Sequence, residues 1–237
     1  MELLPVEGLP EIRPGDDLAA LIAARAELRD GDVVVVAQKV VSKAEGRLRN
    51  LSDVDPGARA RELAQRLGAD ARMLQVVLDE SVRVVRDERA LIVETPHGYV
   101  CANAGVDHSN IEADETVTLL PLDPDRSAAA LRDRLGPVAG VVVSDTFGRP
   151  WRLGIVNVAL GVAGLPAVHD LRGTQDDFGR DLRATVIAVA DELAAAAGLV
   201  MRKTARVPVV IVRGWRSETE PGTGADLIRP PAEDLFR

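Results

Sequence analysis

Two uninterrupted runs of valine constrain the fold more than any other feature of the chain. Val33-Val34-Val35-Val36-Ala37 and Val141-Val142-Val143 carry no polar residue at alternate positions. A strand with one wet face alternates apolar and polar side chains, so these runs read as buried strands. Val207–Val212 is expected as the last strand. The two valine runs end abruptly in polar residues. Gln38-Lys39-Val40-Val41-Ser42-Lys43 appears at the end of the first, and Ser144-Asp145-Thr146 followed by a turn at Gly148 closes the second. A third polar cluster, residues 103–110 (Asn103-Ala104-Gly105-Val106-Asp107-His108-Ser109-Asn110), follows a strand expected from Gly98 to Ala102.

The remaining elements come from caps and periodicity. Leu3, Leu4 and Val6 form a short edge strand, and residues 8–12 a loop. Asp16 or Asp17 caps a helix with Leu18, Leu21, Ile22 and Leu28 on one side. Asp55-Pro56 and Asp123-Pro124 combine an aspartate N-cap with proline in the first turn, starting helices that reach about Leu67 and Leu135. Another helix runs from about Asp70 to Asp79. Val82–Val85 and Leu91–Thr95 are strands around a charged turn, and Ile155–Val162 is a further strand. Residues 170–181 read as a polar loop, followed by the strongest helix, about Leu182 to Leu199. Strands and helices mix without strict alternation, which predicts an α+β fold of mixed sheets with packed helices. The expected organisation is a single domain over residues 1–237, with a smaller subdomain around 50–95.

Composition narrows the function classes. Aromatics are only 3% of a chain that is 46% hydrophobic, so the core must come from Val, Leu, Ile and Ala. A formal net charge of −8 argues against broad nucleic-acid binding but leaves room for a small anionic ligand held by local cations. The single cysteine, Cys101, forms no internal disulfide and fits a reducing compartment. The N-terminus lacks a basic region before an apolar one, and no apolar stretch is long enough to span a bilayer. A cytoplasmic protein is expected.

Asp107 and Asp145 each sit just after an apolar strand, with Asn110 and Thr146 beside them. Oxygen ligands on separate strand ends can converge on Mg²⁺ or Mn²⁺, although Asp and Asn are also ordinary turn residues. Lys39 and Lys43 can meet a phosphate as compact point charges, or form a solvated strand end. Arg149 and Arg152, separated by Pro150 and Trp151, suit bidentate anion binding or structural ion pairing. No phosphate-binding glycine loop or dinucleotide fingerprint is present. Cys101 reads as a core thiol, and His97, His108 and His169 have no metal-ligand spacing.

Taken together, GLPEIRPGDDL (8–18), DGDVVVVAQKVVSKAEGR (30–47), NAGVDHSN (103–110), LLPLDPDRSAAALR (119–132) and VSDTFGRPWRLGIVNVALGVAG (143–164) resemble the coenzyme F420-0:L-glutamate ligase (F420 gamma-glutamyl ligase) family. The resemblance covers nearly the whole chain and corresponds to the stand-alone ligase domain, without the flavin-binding, nitroreductase-like domain fused to some bacterial relatives. It implies a GTP-dependent, GDP-forming ligase that adds L-glutamate to F420-0 and, in some members, further gamma-linked glutamates. It also implies an acyl phosphate formed by GTP on the terminal carboxylate, two divalent ions (Mg²⁺ or Mn²⁺) with K⁺ as a further ion, and an intertwined homodimer.

Carried onto this sequence, the resemblance makes Asp107 and Asp145 the first metal site, acting in catalysis through the metal, and Thr146 a ligand of the second. The GTP contacts become Leu9, Pro10, Glu11, Ile12, Gln38, Lys43, Asn110 and the segment Met201, Arg202, Lys203, Thr204, Ala205, Arg206, Val207, Pro208. Arg149 and Arg152 become substrate contacts. Some members have Met-Gly-Glu-Gly where this chain has Met201-Arg202-Lys203-Thr204, so the second metal site is expected to be built differently. The competing readings are a non-catalytic relative that binds GTP or F420, and an amide ligase for a different acid.

Overall fold

The two valine runs lie side by side. Val33–Ala37 and the start of a strand at Gly140 run parallel, with Val33 opposite Gly140 and Ala37 opposite Ser144. The computed structural model describes residues 1–108, 115–202, 204–217 and 219–234. Its elements in the first half are β1 (Glu2–Pro5), α1 (Leu18–Ala23), β2 (Val33–Ala37), α2 (Gln38–Ala44), β3 (Leu48–Asn50), α3 (Ala58–Leu67), α4 (Ala71–Asp79), β4 (Arg83–Arg86), β5 (Ile92–Glu94) and β6 (Val100–Ala102). The second half contributes β7 (Thr116–Thr118), α5 (Pro124–Leu135), β8 (Gly140–Arg149), β9 (Arg152–Ala163), β10 (His169–Asp170), β11 (Val186–Ile187), α6 (Val189–Met201) and β12 (Val209–Arg213). The result is the mixed α+β architecture expected.

The main sheet has the order β1-β12-β2-β8-β9, parallel only between β2 and β8. Both faces are covered, which explains the unbroken valine runs. Val34, Val36, Val141 and Val143 pack against Leu18 and Ile22 of α1 and Ala128, Leu131 and Leu135 of α5. Val33, Val35 and Val142 point the other way, onto Ala190, Leu193, Ala194 and Ala197 of α6. The chain between β2 and β8 makes a second core from Leu51, Leu63, Leu74, Val77, Leu91, Val93 and Val117, under α3, α4 and the antiparallel β4-β5-β6 sheet.

Several boundaries depart from the sequence reading. Gln38–Lys43 is not a strand end but the body of α2, which begins directly at the last residue of β2. The cap of α3 is Gly57, while Asp55 instead accepts a 2.9 Å hydrogen bond from Arg61. Residues 182–188 are not helical: β11 falls here, paired with β10, and α6 starts at Val189. The polar loop 170–181 also contains a bridge between Gln175 and Asp181. β8 does not stop at Ser144-Asp145-Thr146 but continues to Arg149, pairing with β9 in a long hairpin.

β9 is the sheet's outer strand, and its outward backbone groups are bonded by side chains. Ala159 N donates to Asp191 Oδ1 at 2.8 Å, and Val162 N to Asp125 Oδ1 at 2.8 Å. Burial pushes the Asp191 carboxyl above its ordinary range. Between them the register shifts from Val143–Gly161 to Ser144–Ala159, leaving Leu160 as the extra residue of a bulge. Its carbonyl accepts the Tyr99 hydroxyl at 2.7 Å.

At Gly161 a Cβ would stand 2.0 Å from the Pro124 carbonyl oxygen, so α5 packs directly on the β9 backbone. Gly161→Ala is expected to destabilise the protein by about 2 kcal/mol or more through overpacking. Denaturant midpoints check this, and an unchanged midpoint would contradict the close approach.

Asp32, 1% exposed at the start of β2, receives Arg213 Nε at 2.9 Å, Arg213 Nη2 at 2.8 Å and Arg29 N at 2.9 Å. The Arg213 hydrogen bonds hold its carboxyl below the ordinary value of 3.8. A folded-state value below the unfolded one contributes stability that is present above the unfolded value and lost as pH falls through the folded one. The difference in melting temperature between wild type and Asp32→Asn is therefore expected to shrink as pH drops below about 4. A difference that persists undiminished in stronger acid would exclude this pair as its source.

Candidate functional site

The parallel pairing of β2 and β8 stops at Ala37 and Ser144, where β2 ends while β8 runs on. Ligand clefts in open sheets form at such ends. Here a cavity of about 970 Å³ opens, lined by residues 9–13, the β2–α2 junction, Asp107, residues 144–146 of β8, β9 at Ile155 and Asn157, the end of α6 and residues up to Pro208. The segment entering β12 is tied to the junction, since Ala37 N donates to Pro208 O at 2.8 Å.

Because α2 begins immediately, Lys39 and Lys43 fall one helical turn apart and both reach the cavity. Lys39 Nζ bonds Asp107 Oδ2 at 2.6 Å. Lys43, only 6% exposed, is paired with Glu11. The solvated strand end is thereby excluded for Lys43. Asp107 is held by its backbone, which exchanges hydrogen bonds with Thr118 at 3.1 and 2.9 Å. Asp145 Oδ1 accepts Thr146 N at 2.7 Å.

Gln38 is buried, and its Nε2 donates to Ser42 Oγ at 2.5 Å and Leu119 O at 3.1 Å. The carbonyl of Leu119 can only accept, so the amide nitrogen must face it. Only Gln38 Oε1 is left to face a ligand.

Of the residues picked from the sequence, Leu9, Pro10, Glu11, Ile12, Gln38, Lys43, Asp107, Asp145, Thr146, Met201, Arg202, Thr204, Arg206, Val207 and Pro208 share this one cavity. Ala205 is not on its wall, and Asn110 and Lys203 lie outside the described residues. Arg149 and Arg152 face each other at the tip of the β8–β9 hairpin, where Arg149 Nη2 donates to Leu153 O at 2.9 Å, and neither lines the cavity. The strand's continuation past Thr146 carries them away. Sequence reasoning missed Arg13, Ser144, Asn157 and Gly198 as wall residues. Strand alternation from Thr146 would have found Ser144, but no local signal marks the others.

Arg202 and Arg206 have φ of 45° and 54°, the left-handed region that glycine occupies without strain. A glycine after the methionine, as in the Met-Gly-Glu-Gly pattern, suits this backbone better than arginine does.

The sequence model described as F420-0:Gamma-glutamyl ligase matches residues 8–214. The chain belongs to this family. All of it aligns with the coenzyme F420:L-glutamate ligase of Archaeoglobus fulgidus, at 46% identity and 96% of that protein's length. The protein of the same name from Halobacterium salinarum is 51% identical over all of this chain and 92% of its own length. The one from Methanopyrus kandleri is 46% identical over all of this chain and 97% of its own.

The divalent cations that the family resemblance implies need oxygen donors. No group of three His, Cys, Asp or Glu side chains able to hold a metal exists among the described residues. Two carboxylates and a hydroxyl, Asp107, Asp145 and Thr146, nevertheless face one cavity. Mg²⁺ is commonly held by one or two carboxylates, with water or substrate phosphate completing its shell. The oxygen donors therefore fit a hard cation that shares its coordination with a ligand. Asp145 and Thr146 are successive strand residues, so their side chains leave β8 on opposite faces. That placement fits one residue per ion better than both on one.

Among the described residues no helix is long and apolar enough to cross a membrane. Cys101 is buried, and its thiol is pushed up to about 12, first by burial and then by the charge of Asp145. A thiol-disulfide reagent at pH 8 is expected to leave Cys101 unmodified in the folded protein and to label it after unfolding. Rapid labelling of the folded protein would contradict its core position.

Proposed function

We propose that the chain is a GTP-dependent ligase that joins L-glutamate to coenzyme F420-0, releasing GDP and phosphate; the same chemistry repeated on the product would add further gamma-linked glutamates. The observation carrying this reading is the convergence of Asp107 and Asp145 with Lys39 and Lys43 on one cavity. The names of the relatives supply the substrate: each is a coenzyme F420:L-glutamate ligase.

A carboxylate is a poor electrophile, so it must be activated before an amine can displace oxygen from it. In this proposal a terminal carboxylate oxygen of F420-0 attacks the γ-phosphorus of GTP. The bond to the bridging oxygen breaks, GDP leaves, and an acyl phosphate forms. The glutamate amine then attacks the acyl carbon, loses a proton, and inorganic phosphate departs. Both steps bring negative groups together, so catalysis rests on positioning and charge compensation. Lys43 and Lys39 supply fixed ammonium groups toward the phosphates. Asp107 and Asp145 would hold Mg²⁺ or Mn²⁺, with Thr146 on a second ion. When bound, the cation offsets charge on the reacting oxygens. The carbonyl oxygen of Gln38 and residues 9–12 contact the nucleotide.

K⁺ as a further ion belongs to the same proposal, as does the homodimer. The β8–β9 arm supports a partner surface, with Trp151 81% and Leu153 97% exposed.

Purified protein given Mg²⁺ or Mn²⁺, GTP, glutamate and F420-0 is expected to yield the glutamylated coenzyme by mass spectrometry. Unmodified F420-0 together with tight GTP binding would favour the non-catalytic relative instead. Asp107→Ala and Asp145→Ala are each expected to lower turnover ~100-fold or more, the scale of losing one electrostatic contact in a transition state. Near-normal rates with folded protein would remove these residues from the mechanism. Lys43→Ala is expected to raise the KM for GTP roughly tenfold, the size of one lost charged hydrogen bond. An equal rise in the KM for glutamate would place Lys43 elsewhere.

A further inference from the structure

One wall of the cavity carries neutral polar groups. The β8–β9 register pairs Thr146 with Asn157 and Ser144 with Ala159, so Asn157 shares the face of the two hydroxyls while Asp145 takes the other. Ser144 and Asn157 line the cavity beside Gly198 and Met201 of α6. Ser144 is 1% exposed, and its Oγ has no hydrogen-bond partner among the described residues. Buried hydroxyls nearly always have one, so an exception asks for an explanation. Alanine would fill most of the same space without leaving a polar atom stranded.

Asn157 is only weakly engaged. Its Nδ2 lies 3.5 Å from Met201 Sδ, and a thioether is a poor acceptor. Its amide leans on Gly198, where a Cβ would come within 2.9 Å of Asn157 Cγ. The absence of a side chain at 198 is what lets the amide sit there. Ser144 and Asn157 thus share with Thr146 a wall otherwise formed by Ile155, Met201 and a bare helix backbone, and the fold itself makes little use of these two.

We propose that Ser144 and Asn157 form a neutral hydrogen-bonding subsite for an uncharged polar group, a hydroxyl or an amide, of a bound substrate. The charged residues of the cavity, among them Lys39, Lys43, Asp107 and Asp145, handle charged groups. A hydroxyl and a carboxamide offer both donors and acceptors without a net charge, which suits a partner that is itself neutral. The sugar of the nucleotide and the body of the acid co-substrate are the two sources of such a group. The inference rests on the ligase reading given above.

The test uses Ser144→Ala and Asn157→Ala in the full chain. KM values are measured separately for GTP and F420-0, together with the melting temperature without ligand and its rise with each ligand. Both variants are expected to raise the KM of the same substrate roughly 5- to 30-fold, the worth of one hydrogen bond, and to diminish the thermal shift that substrate produces. Ligand-free Ser144→Ala is expected to melt no lower than wild type, because it removes an unbonded buried hydroxyl. An effect on GTP assigns the subsite to the sugar, and an effect on F420-0 to the acid. Unchanged KM values overturn the proposal, as do effects on different substrates. A lower ligand-free melting temperature of Ser144→Ala with an undiminished thermal shift makes that hydroxyl structural and overturns it too. If wild-type protein gives neither product nor thermal shift with either substrate, the ligase reading fails and the subsite falls with it.

Discussion

The structure depends on the parallel pairing of β2 with β8. Parallel neighbours cannot be joined by a tight turn and need a long crossover. Here the crossover carries a whole second core, built from residues between Leu51 and Leu119, together with α5. Parallel pairing also puts the carboxyl end of β2 beside the middle of β8, with only the β8–β9 hairpin continuing beyond it. The cavity follows from that geometry. β2 turns at once into α2 and delivers two lysines. The crossover lobe supplies Asp107, and β8 supplies Ser144, Asp145 and Thr146.

Charge inside the cavity is balanced locally. Lys39 meets Asp107 and Lys43 meets Glu11, so each of the two lysines has an anion within bonding distance. Partly buried charges are tolerable only when paired in this way. An anionic ligand entering the cavity competes with Asp107 and Glu11 for the same ammonium groups, and a cation competes with Lys39 for Asp107. In the proposed reaction a divalent ion arriving with the phosphates would give Asp107 a new partner as Lys39 turns to the phosphate.

Much of this is legible in the sequence. The valine runs and the caps at Asp17 and Asp123 appear where the sequence places them, and the helix expected from about Asp70 starts there. Boundaries failed where tertiary contacts outweigh local preference. Gln38–Lys43 alternates poorly for either period, and the helix wins because its amide and lysines find partners at Leu119, Asp107 and Glu11. Polar residues at 144–146 looked like a strand's end, yet β9 supplies a full set of partners and extends the strand to Arg149. That extension separates Arg149 and Arg152 from the aspartate only a few positions before them. Asn157, Gly198 and Arg13 carry no local signature, since only the fold brings them to the same wall.

The position of the lobe within the crossover also bears on how the protein is made. During synthesis β2 emerges long before β8 and β12, the two strands that flank it in the finished sheet. Its valines must wait, uncovered, for partners encoded far downstream. The lobe needs no such delay, because its core draws on residues from Leu51 to Leu119 alone. A nascent chain of this topology consolidates its middle first, as expected when contacts close in sequence form ahead of distant ones. At that stage it holds Asp107 and none of the other groups that the cavity will gather. The site is thus the last feature of the molecule to exist, completed only when the C-terminal strand slots between β1 and β2.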